Sequence, residues 1–158
     1  RDRSPSRGLG DVYKRQLYLK PADLERLVKE RFERYETIKK TEQRAEEYLV
    51  DDADIVVVAY GASSRVARSA VNAARAEGIK AGLIRPITLW PFPTDALQRA
   101  AQHVKKFLAV EMSMGQMVDD VRLAIHDQKP VEFYGRTGGM IPTPAEVLGA
   151  VKKAGGVL

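Results

Sequence analysis

The chain has 158 residues, of which 44% are apolar and 30% charged, a balance that predicts a soluble globular protein with one core. It contains no cysteine, which excludes disulfides, iron–sulfur ligation and a cysteine nucleophile within the chain, and which fits a cytoplasmic protein. No apolar run reaches the roughly 20 residues that a membrane-spanning helix needs, so no membrane partner is expected.

Residues 1–16 differ in composition from the rest of the chain. They carry five Lys or Arg against two Asp, which accounts for +3 of the net charge of +5, so a nucleic-acid partner is not expected from charge. The segment has no periodicity, and we interpret it as non-native sequence joined to the reading frame. In that case the native protein continued upstream and this chain is a fragment. A native, disordered basic arm is the alternative interpretation.

The next segment has a helical pattern. Over residues 21–49, apolar side chains recur at steps of three and four, which predicts one long amphipathic helix or two helices with a break near Thr41. Pro21 suits a first helical turn, and Asp23 lies where the helix dipole favours an acid. We therefore predict a helical connector over residues 17–50, followed by a domain over residues 51–158.

Short apolar strands alternate with helical patterns in that domain. The predicted strands are 55–60, 81–85, 107–111 and 131–134. The predicted helices run from about 63 to 77, 94 to 103, 114 to 126 and 143 to 155. This alternation predicts an α/β fold, with an open, mostly parallel sheet covered by helices on both faces.

Ligands of such sheets bind outside the carboxyl ends of the strands, so the loops that follow the strands hold the candidate site. The candidates are small, polar or exposed-looking apolar residues, and we expect them to lie at an interface with another domain. They are Gly61, Ser63, Ser64, Arg65, Arg85, Trp90, Phe92, Glu111, Met112, Ser113, Gly115, Gln116, Arg136, Gly138 and Gly139.

Several of these residues have two interpretations. Backbone N–H groups and hydroxyls near Ser63 and Ser64 either bind a phosphate, or one of these serines caps the following helix. Glu111 is either a functional carboxylate that titrates near neutrality or a cap for the next helix. Trp90 and Phe92 either pack against a partner or cover the local core.

No complete catalytic motif accompanies these loops. The sequence contains no Gly-x-Gly-x-x-Gly, Walker or Gly-x-Ser-x-Gly motif, and Arg85 stands where a dinucleotide site would want an acid. His103 and His126 lack the spacing of metal ligands and are expected at the surface. We therefore predict no catalytic, cofactor-binding or metal-ligating residue in this chain.

Four segments together resemble the C-terminal part of the α subunit of 2-oxoacid:ferredoxin oxidoreductases. They are residues 56–70, 82–93, 111–117 and 138–144, and the run Arg-Pro-Ile-Thr-Leu-Trp-Pro-Phe-Pro is the most specific. The resemblance covers roughly residues 17–158. The branched-chain (3-methyl-2-oxobutanoate) type is the better match, with the 2-oxoglutarate type next, and the domain is similar to the transketolase C-terminal domain.

This resemblance implies oxidative decarboxylation of a 2-oxoacid, such as pyruvate or a branched-chain analogue, to acyl-CoA. The cofactors would be thiamine diphosphate, Mg²⁺, CoA and Fe–S clusters that pass electrons to ferredoxin. In the family, an N-terminal domain holds the thiamine ring and a β subunit carries the Gly-Asp-Gly diphosphate motif, and this sequence has neither.

The chain is therefore expected to be a structural and assembly domain that is inactive alone. Its expected partners are the N-terminal thiamine-pyrimidine domain, the β subunit and a ferredoxin-like subunit in an oligomer. Residues 61–65, 111–116 and 136–139 are expected at the interdomain edge. The alternatives are a free-standing phosphate- or nucleotide-binding module and an oligomerisation module.

Overall fold

The computed structural model describes residues 18–156, and the prediction for residues 1–16 lies outside them. The structure divides into two units between Ile38 and Lys39. The first helix, α1, spans Pro21–Thr41, and none of its residues is buried. Within residues 18–156, no helix combines the length and the apolar composition needed to cross a membrane.

The helical pattern predicted beyond Thr41 is wrong, because residues 45–48 form a strand. The helix ends at the predicted break, and β1, Ala45–Tyr48, pairs antiparallel with β3, Ala81–Pro86. Adjacent side chains of a strand point to opposite faces. Glu46 accordingly binds arginines of β3 and of one later helix, whereas Glu47 binds an arginine of another helix. These long-range partners are invisible to a local periodicity.

Four parallel strands complete the sheet. They are β2 (Ile55–Val58), β3 (Ala81–Pro86), β4 (Lys106–Glu111) and β5 (Val131–Gly135), and the spatial order is β1-β3-β2-β4-β5. Only β1 runs antiparallel to its neighbour. The prediction of an open, mostly parallel sheet is therefore confirmed.

Helices cover both faces of this sheet. They are α2 (Gly61–Ala76), α3 (Thr94–Ala101), α4 (Met117–Ala124) and α5 (Pro144–Gly155). Val56 and Val58 of β2 pack in the core that α3 and α4 cover, while Ile55 and Val57 pack beneath α2 and α5. Because β2 is buried on both faces, its sequence is a continuous apolar run.

Arg75 ties α2 to the sheet through one guanidinium group. Its Nε donates to the Ala81 carbonyl at 2.6 Å, and its terminal nitrogens bind both carboxylate oxygens of Asp52 at 2.8 and 2.7 Å. The same group also donates to the Leu49 carbonyl at 2.8 Å. The flat fork of arginine satisfies all of these acceptors at once, which an ammonium group cannot do.

We expect Arg75→Lys to lower the melting temperature of the chain by about 3 to 6 °C, since several hydrogen bonds are lost together. Arg99→Lys is the matched control, because Arg99 is exposed and has one ion pair, to Glu47. The control should change the melting temperature by less than about 2 °C. Equal effects of the two substitutions in thermal unfolding would contradict this role for Arg75.

Candidate functional site at the carboxyl edge of the sheet

The topology places the carboxyl ends of β2 and β4 next to each other at one edge of the sheet. These strands are neighbours, but the helix after β2 lies on one face of the sheet and the helix after β4 lies on the other. The two connecting loops therefore diverge, and such a switch point is where open α/β sheets bind their ligands. The loop after β2 and the loop after β4 flank this switch point.

The β2–α2 turn leaves the start of α2 without a side-chain cap. Tyr60 is the N-cap residue, in an extended conformation, and Gly61 has a φ of 57°. The Ser64 hydroxyl donates to the Gly61 carbonyl at 2.7 Å instead of accepting from a first-turn amide. Capping by Ser63 or Ser64 is thus wrong, because no side chain caps this helix.

Glu111 is a buried cap for α4. Its side chain is 1% exposed, and Oε2 accepts hydrogen bonds from the Ser113 hydroxyl and from the Gln116 and Met117 amides at 2.9 to 3.0 Å. Its Oε1 accepts from the Val118 amide at 2.9 Å. These four donors confirm the interpretation of Glu111 as a helix cap.

The same contacts shape the loop between β4 and α4. The Ser113 hydroxyl, besides donating to Glu111, accepts from the Gly115 amide at 3.3 Å. Gly115 has a φ of 108°, a conformation that side chains disfavour. With these inner positions fixed, Met112 and Met114 are left exposed, Met114 by 81%.

Arg136 and Glu146 organise the loop after β5. The Arg136 guanidinium binds Glu146 Oε1 at 2.6 Å. Glu146 also accepts from the Thr143 amide and hydroxyl at 2.8 and 3.0 Å, completing the predicted capping box of α5. The hydrogen bonds from Thr143, and then the charge of Arg136, hold the pKa of Glu146 below its usual value. Gly138 and Gly139, both with positive φ, lie in this loop.

The lowered pKa of Glu146 predicts a dependence of stability on pH. Because the folded-state pKa lies below the unfolded-state value, the ionised group stabilises the fold at neutral pH, and this is lost as pH falls through the folded-state pKa. We expect Glu146→Gln to be less stable than the wild type at pH 7 and to approach it near pH 3. Chemical unfolding at both pH values measures this, and an equal deficit at both would contradict the assignment.

The two aromatic residues in the loop after β3 differ in burial, so each fits a different one of the two interpretations. Phe92 is partly buried against the core, which supports a local covering role, whereas Trp90 is 55% exposed. Arg85 is bound to Glu46 of β1 at 3.0 Å. The Arg85 guanidinium thus has a structural partner within the sheet.

Exposed apolar side chains occur in three of the four carboxyl-edge loops. We define the apolar edge as Leu89, Trp90, Met112, Met114, Met140 and Ile141, all of them exposed. Trp90, Met112 and, within residues 111–116, Met114 were predicted from the sequence to lie at an interface, whereas Leu89, Met140 and Ile141 were not predicted as site residues. The sequence feature that could have indicated them is a pair of adjacent apolar residues, Leu89-Trp90 or Met140-Ile141, within a Gly- or Pro-rich loop. Such loops are normally polar.

The described residues offer no metal or cluster site. No group of three or more His, Asp or Glu side chains within residues 18–156 has the arrangement of a metal centre. Without cysteine, the chain supplies no thiolate to an Fe–S cluster. His103 Nε2 lies 3.0 Å from the Val50 carbonyl, and His126 Nε2 lies 3.3 Å from the Gln98 amide. Both rings therefore have structural partners.

Comparison with known proteins agrees with the family resemblance that the sequence motifs indicate. Residues 53–147 match the family model described as pyruvate:ferredoxin oxidoreductase core domain II. The ketoisovalerate oxidoreductase subunit VorB of Methanothermobacter thermautotrophicus is 52% identical over 124 residues, which cover 78% of this chain and 35% of the relative. The chain thus spans about a third of the length of this curated relative.

Solved structures share the fold at lower identity. The 2-oxoglutarate:ferredoxin oxidoreductase of Magnetococcus marinus, solved with 2-oxoglutarate, coenzyme A and succinyl-CoA, gives a TM-score of 0.69 at 24% identity, covering 86% of this chain and 24% of that one. A split-gene transketolase, an inactive β4 tetramer, gives 0.60 at 23% identity, covering 70% of this chain and 41% of that one. These matches confirm the predicted resemblance to the transketolase C-terminal fold.

Proposed function

The chain belongs to the pyruvate:ferredoxin oxidoreductase core domain II family, and on that premise we propose that it is a structural and assembly domain of a 2-oxoacid oxidoreductase. The reaction of the whole enzyme would be oxidative decarboxylation of a 2-oxoacid to an acyl-CoA, with electrons passed to ferredoxin. The name of the 52% identical relative favours a branched-chain substrate of the ketoisovalerate type.

The apolar edge is the single observation that carries the assembly role. Six exposed apolar side chains lie in three loops at the same edge of the sheet, and a stable protein in water would normally cover such a concentration of apolar side chains. Methionines and tryptophan are enriched in protein interfaces because they combine a large contact area with adaptable shape. We infer that this edge contacts the rest of the enzyme.

The cofactors would then be held outside this chain. We propose the N-terminal thiamine-pyrimidine domain, a β subunit with the diphosphate motif and a ferredoxin-like subunit as partners. In this arrangement thiamine diphosphate, Mg²⁺, CoA and the Fe–S clusters lie with those partners. The absence of cysteine from the sequence supports this division for the clusters. The described chain would supply one wall and no reacting group.

A domain exchange tests this proposal. Residues 53–147 replace the matching stretch of the VorB subunit, and the product is expressed with the remaining subunits of that enzyme. We call the enzyme with the replaced stretch the exchanged enzyme. We expect it to retain at least about a tenth of the native enzyme's rate of ketoisovalerate-dependent reduction of an artificial electron acceptor. The isolated 158-residue chain should show none, even when all the cofactors are added.

Two results would contradict the proposal. One is an exchanged subunit that folds but does not assemble with its partners, since the domain would then lack the assembly surface. The other is turnover of a 2-oxoacid by the isolated chain. A free-standing binding module remains the second candidate, and the uncapped start of α2 is the observation that favours it.

A further inference from the structure

The amino edge of the sheet, where β2, β3 and β4 begin, holds a cavity of about 330 Å³. Two helices end at its border, because Gly78 follows α2 and Gly156 is the C-cap of α5. A Cβ atom placed on either glycine would meet no other atom within 4 Å, so both helix ends face open space. A cavity of this volume has the size of a site for a small organic ligand.

The floor of this cavity is apolar. Ile55, the first residue of β2, is 3% exposed, and Ala154, in the last turn of α5, is 1% exposed. Ile79, just before β3, is partly buried and packs against the same core, which lies beneath α2 and α5. An apolar group that entered the cavity would therefore leave water for a surface continuous with the core, which favours binding.

Charged residues stand in a row at the amino ends of the three strands. Lys80 precedes β3, Asp54 precedes β2 and Lys105 precedes β4. Backbone hydrogen bonds fix this row, since the Asp54 amide donates to the Lys80 carbonyl and the Lys105 amide donates to the Asp54 carbonyl, both at 2.8 Å. All three residues line the cavity, and so does Lys106, the first residue of β4. Three lysines and one aspartate thus surround the apolar floor.

The charged groups around the cavity leave one positive charge in excess. Lys105 Nζ lies 3.2 Å from Asp54 Oδ1, and Lys106 Nζ lies 3.0 Å from Glu132 Oε1. Three lysines against two carboxylates therefore favour a ligand with a single negative charge. A carboxylate has that charge at neutral pH, whereas a phosphate monoester carries about −1.5 to −2.

Lys80 is the lysine that carries the excess charge. It is exposed and forms no ion pair with any residue in the described part of the chain. The carboxylate of Asp52 binds Arg75 through both of its oxygens, and Lys80 attracts it only at longer range. The Lys80 ammonium group is therefore available to an incoming anion.

The helix ends beside the cavity carry cations of their own. The carboxyl end of a helix has a partial negative charge, which a cation in its last turn offsets. Arg75 lies in the last turn of α2, and Lys153 lies in that of α5. Glu77, the C-cap residue of α2, is paired with Lys152 at 2.6 Å. The helix ends therefore do not oppose an anion at Lys80.

We propose that this cavity binds a small carboxylic acid with an apolar body. The carboxylate binds the Lys80 ammonium group, and the apolar body lies on the floor formed by Ile55, Ile79 and Ala154. Burial of the apolar body and an ion pair at the rim act together, which neither acetate nor a neutral apolar molecule can provide. The cavity lies at the edge opposite to the apolar edge, so this site goes beyond the assembly role and does not depend on it.

A titration of the full 158-residue chain with phenylbutyrate, followed by backbone-amide NMR, tests the proposal. We expect saturable shift changes with a Kd of about 1 mM or tighter. The changes should include residues 54–55, 78–80 and 105–106 and should leave residues 112–114 and 140–141 unchanged. Acetate lacks the apolar body and phenylbutanol lacks the charge, so each should bind at least about fivefold more weakly.

Substitution of Lys80 isolates the contribution of the ion pair. Lys80→Gln should weaken phenylbutyrate binding about fivefold and leave the affinity for phenylbutanol within about twofold, because only the acid uses the ammonium group. Lys129→Gln is the matched control, since Lys129 lies before β5 at the same edge but does not line the cavity. This control has the same net charge as Lys80→Gln and should bind phenylbutyrate like the wild type.

Three results would overturn the proposal. The first is the absence of saturable shift changes at the amino edge. The second is a set of shift changes confined to residues 112–114 and 140–141, since the acid would then bind the apolar edge instead. The third is equal weakening by Lys80→Gln and Lys129→Gln, since net charge alone would then explain the affinity. Because the test uses the isolated chain, it is independent of the domain exchange, and the two proposals fail separately.

Discussion

Replacing Glu111 by glutamine is expected to lower the free energy of unfolding by about 3 kcal/mol or more. The buried carboxylate accepts from three backbone amides and one hydroxyl, and each bond to a charged group contributes about 1.5 to 3 kcal/mol. A glutamine of equal size turns one acceptor into a donor that faces other donors. Urea unfolding of the full chain measures the loss.

Asp119→Asn is the matched control for Glu111. Asp119 lies in the first turn of the same helix but is exposed, with an ion pair to Arg122 at 2.9 Å. Its replacement should change stability by less than about 0.5 kcal/mol. If Glu111→Gln lowers the free energy of unfolding as little as this control does, the hydrogen bonds of Glu111 do not stabilise the β4–α4 loop. Other contacts would then hold the exposed methionines of that loop in place.

Replacing both Met112 and Met114 by aspartate is expected to reduce the activity of the exchanged enzyme more than tenfold. Both side chains are exposed in the chain, so the substitutions should leave its own stability within about 1 kcal/mol. If the apolar edge packs against another part of the enzyme, two charges are buried there without partners, which strongly opposes assembly. Activity and subunit co-purification are the measurements.

Leu123→Asp provides the comparison for the methionine pair. Leu123 is 73% exposed and lies near the opposite end of α4, away from the carboxyl edge. The variant should assemble and keep its activity within about threefold. If Leu123→Asp disrupts assembly while the methionine pair does not, the contact surface lies on the far side of the domain.

Much of the fold was predictable because its signals are local. The buried strand β2 is an uninterrupted apolar run, and the α5 capping box combines Thr143, Pro144 and Glu146 in four residues. The strand β1 was not predictable in this way. Its residues fit helical steps, and its partners, Arg68, Arg85 and Arg99, lie more than 20 residues away in sequence.

The candidate site was predictable in position but not in its details. Sheet topology placed the loops at one edge, as the structure has them. The role of Glu111, however, depends on three amides that converge on it only once the loop has folded. Ser63 and Ser64 have the same chemistry and adjacent positions, yet only the Ser64 hydroxyl finds a partner within the helix. The orientation of such a side chain depends on how it packs, and residue type alone does not predict it.

Hydrogen exchange of the exchanged enzyme, compared with the isolated chain, tests the assembly role most directly. We predict that amides of residues 112–116 and 137–141 exchange at least tenfold more slowly in the assembled enzyme. Residues 102–105 and 126–129, at the opposite edge of the sheet, should exchange at equal rates in both samples. Unchanged exchange at the carboxyl edge, or protection confined to the opposite edge, would contradict the assignment of the apolar edge as the contact surface.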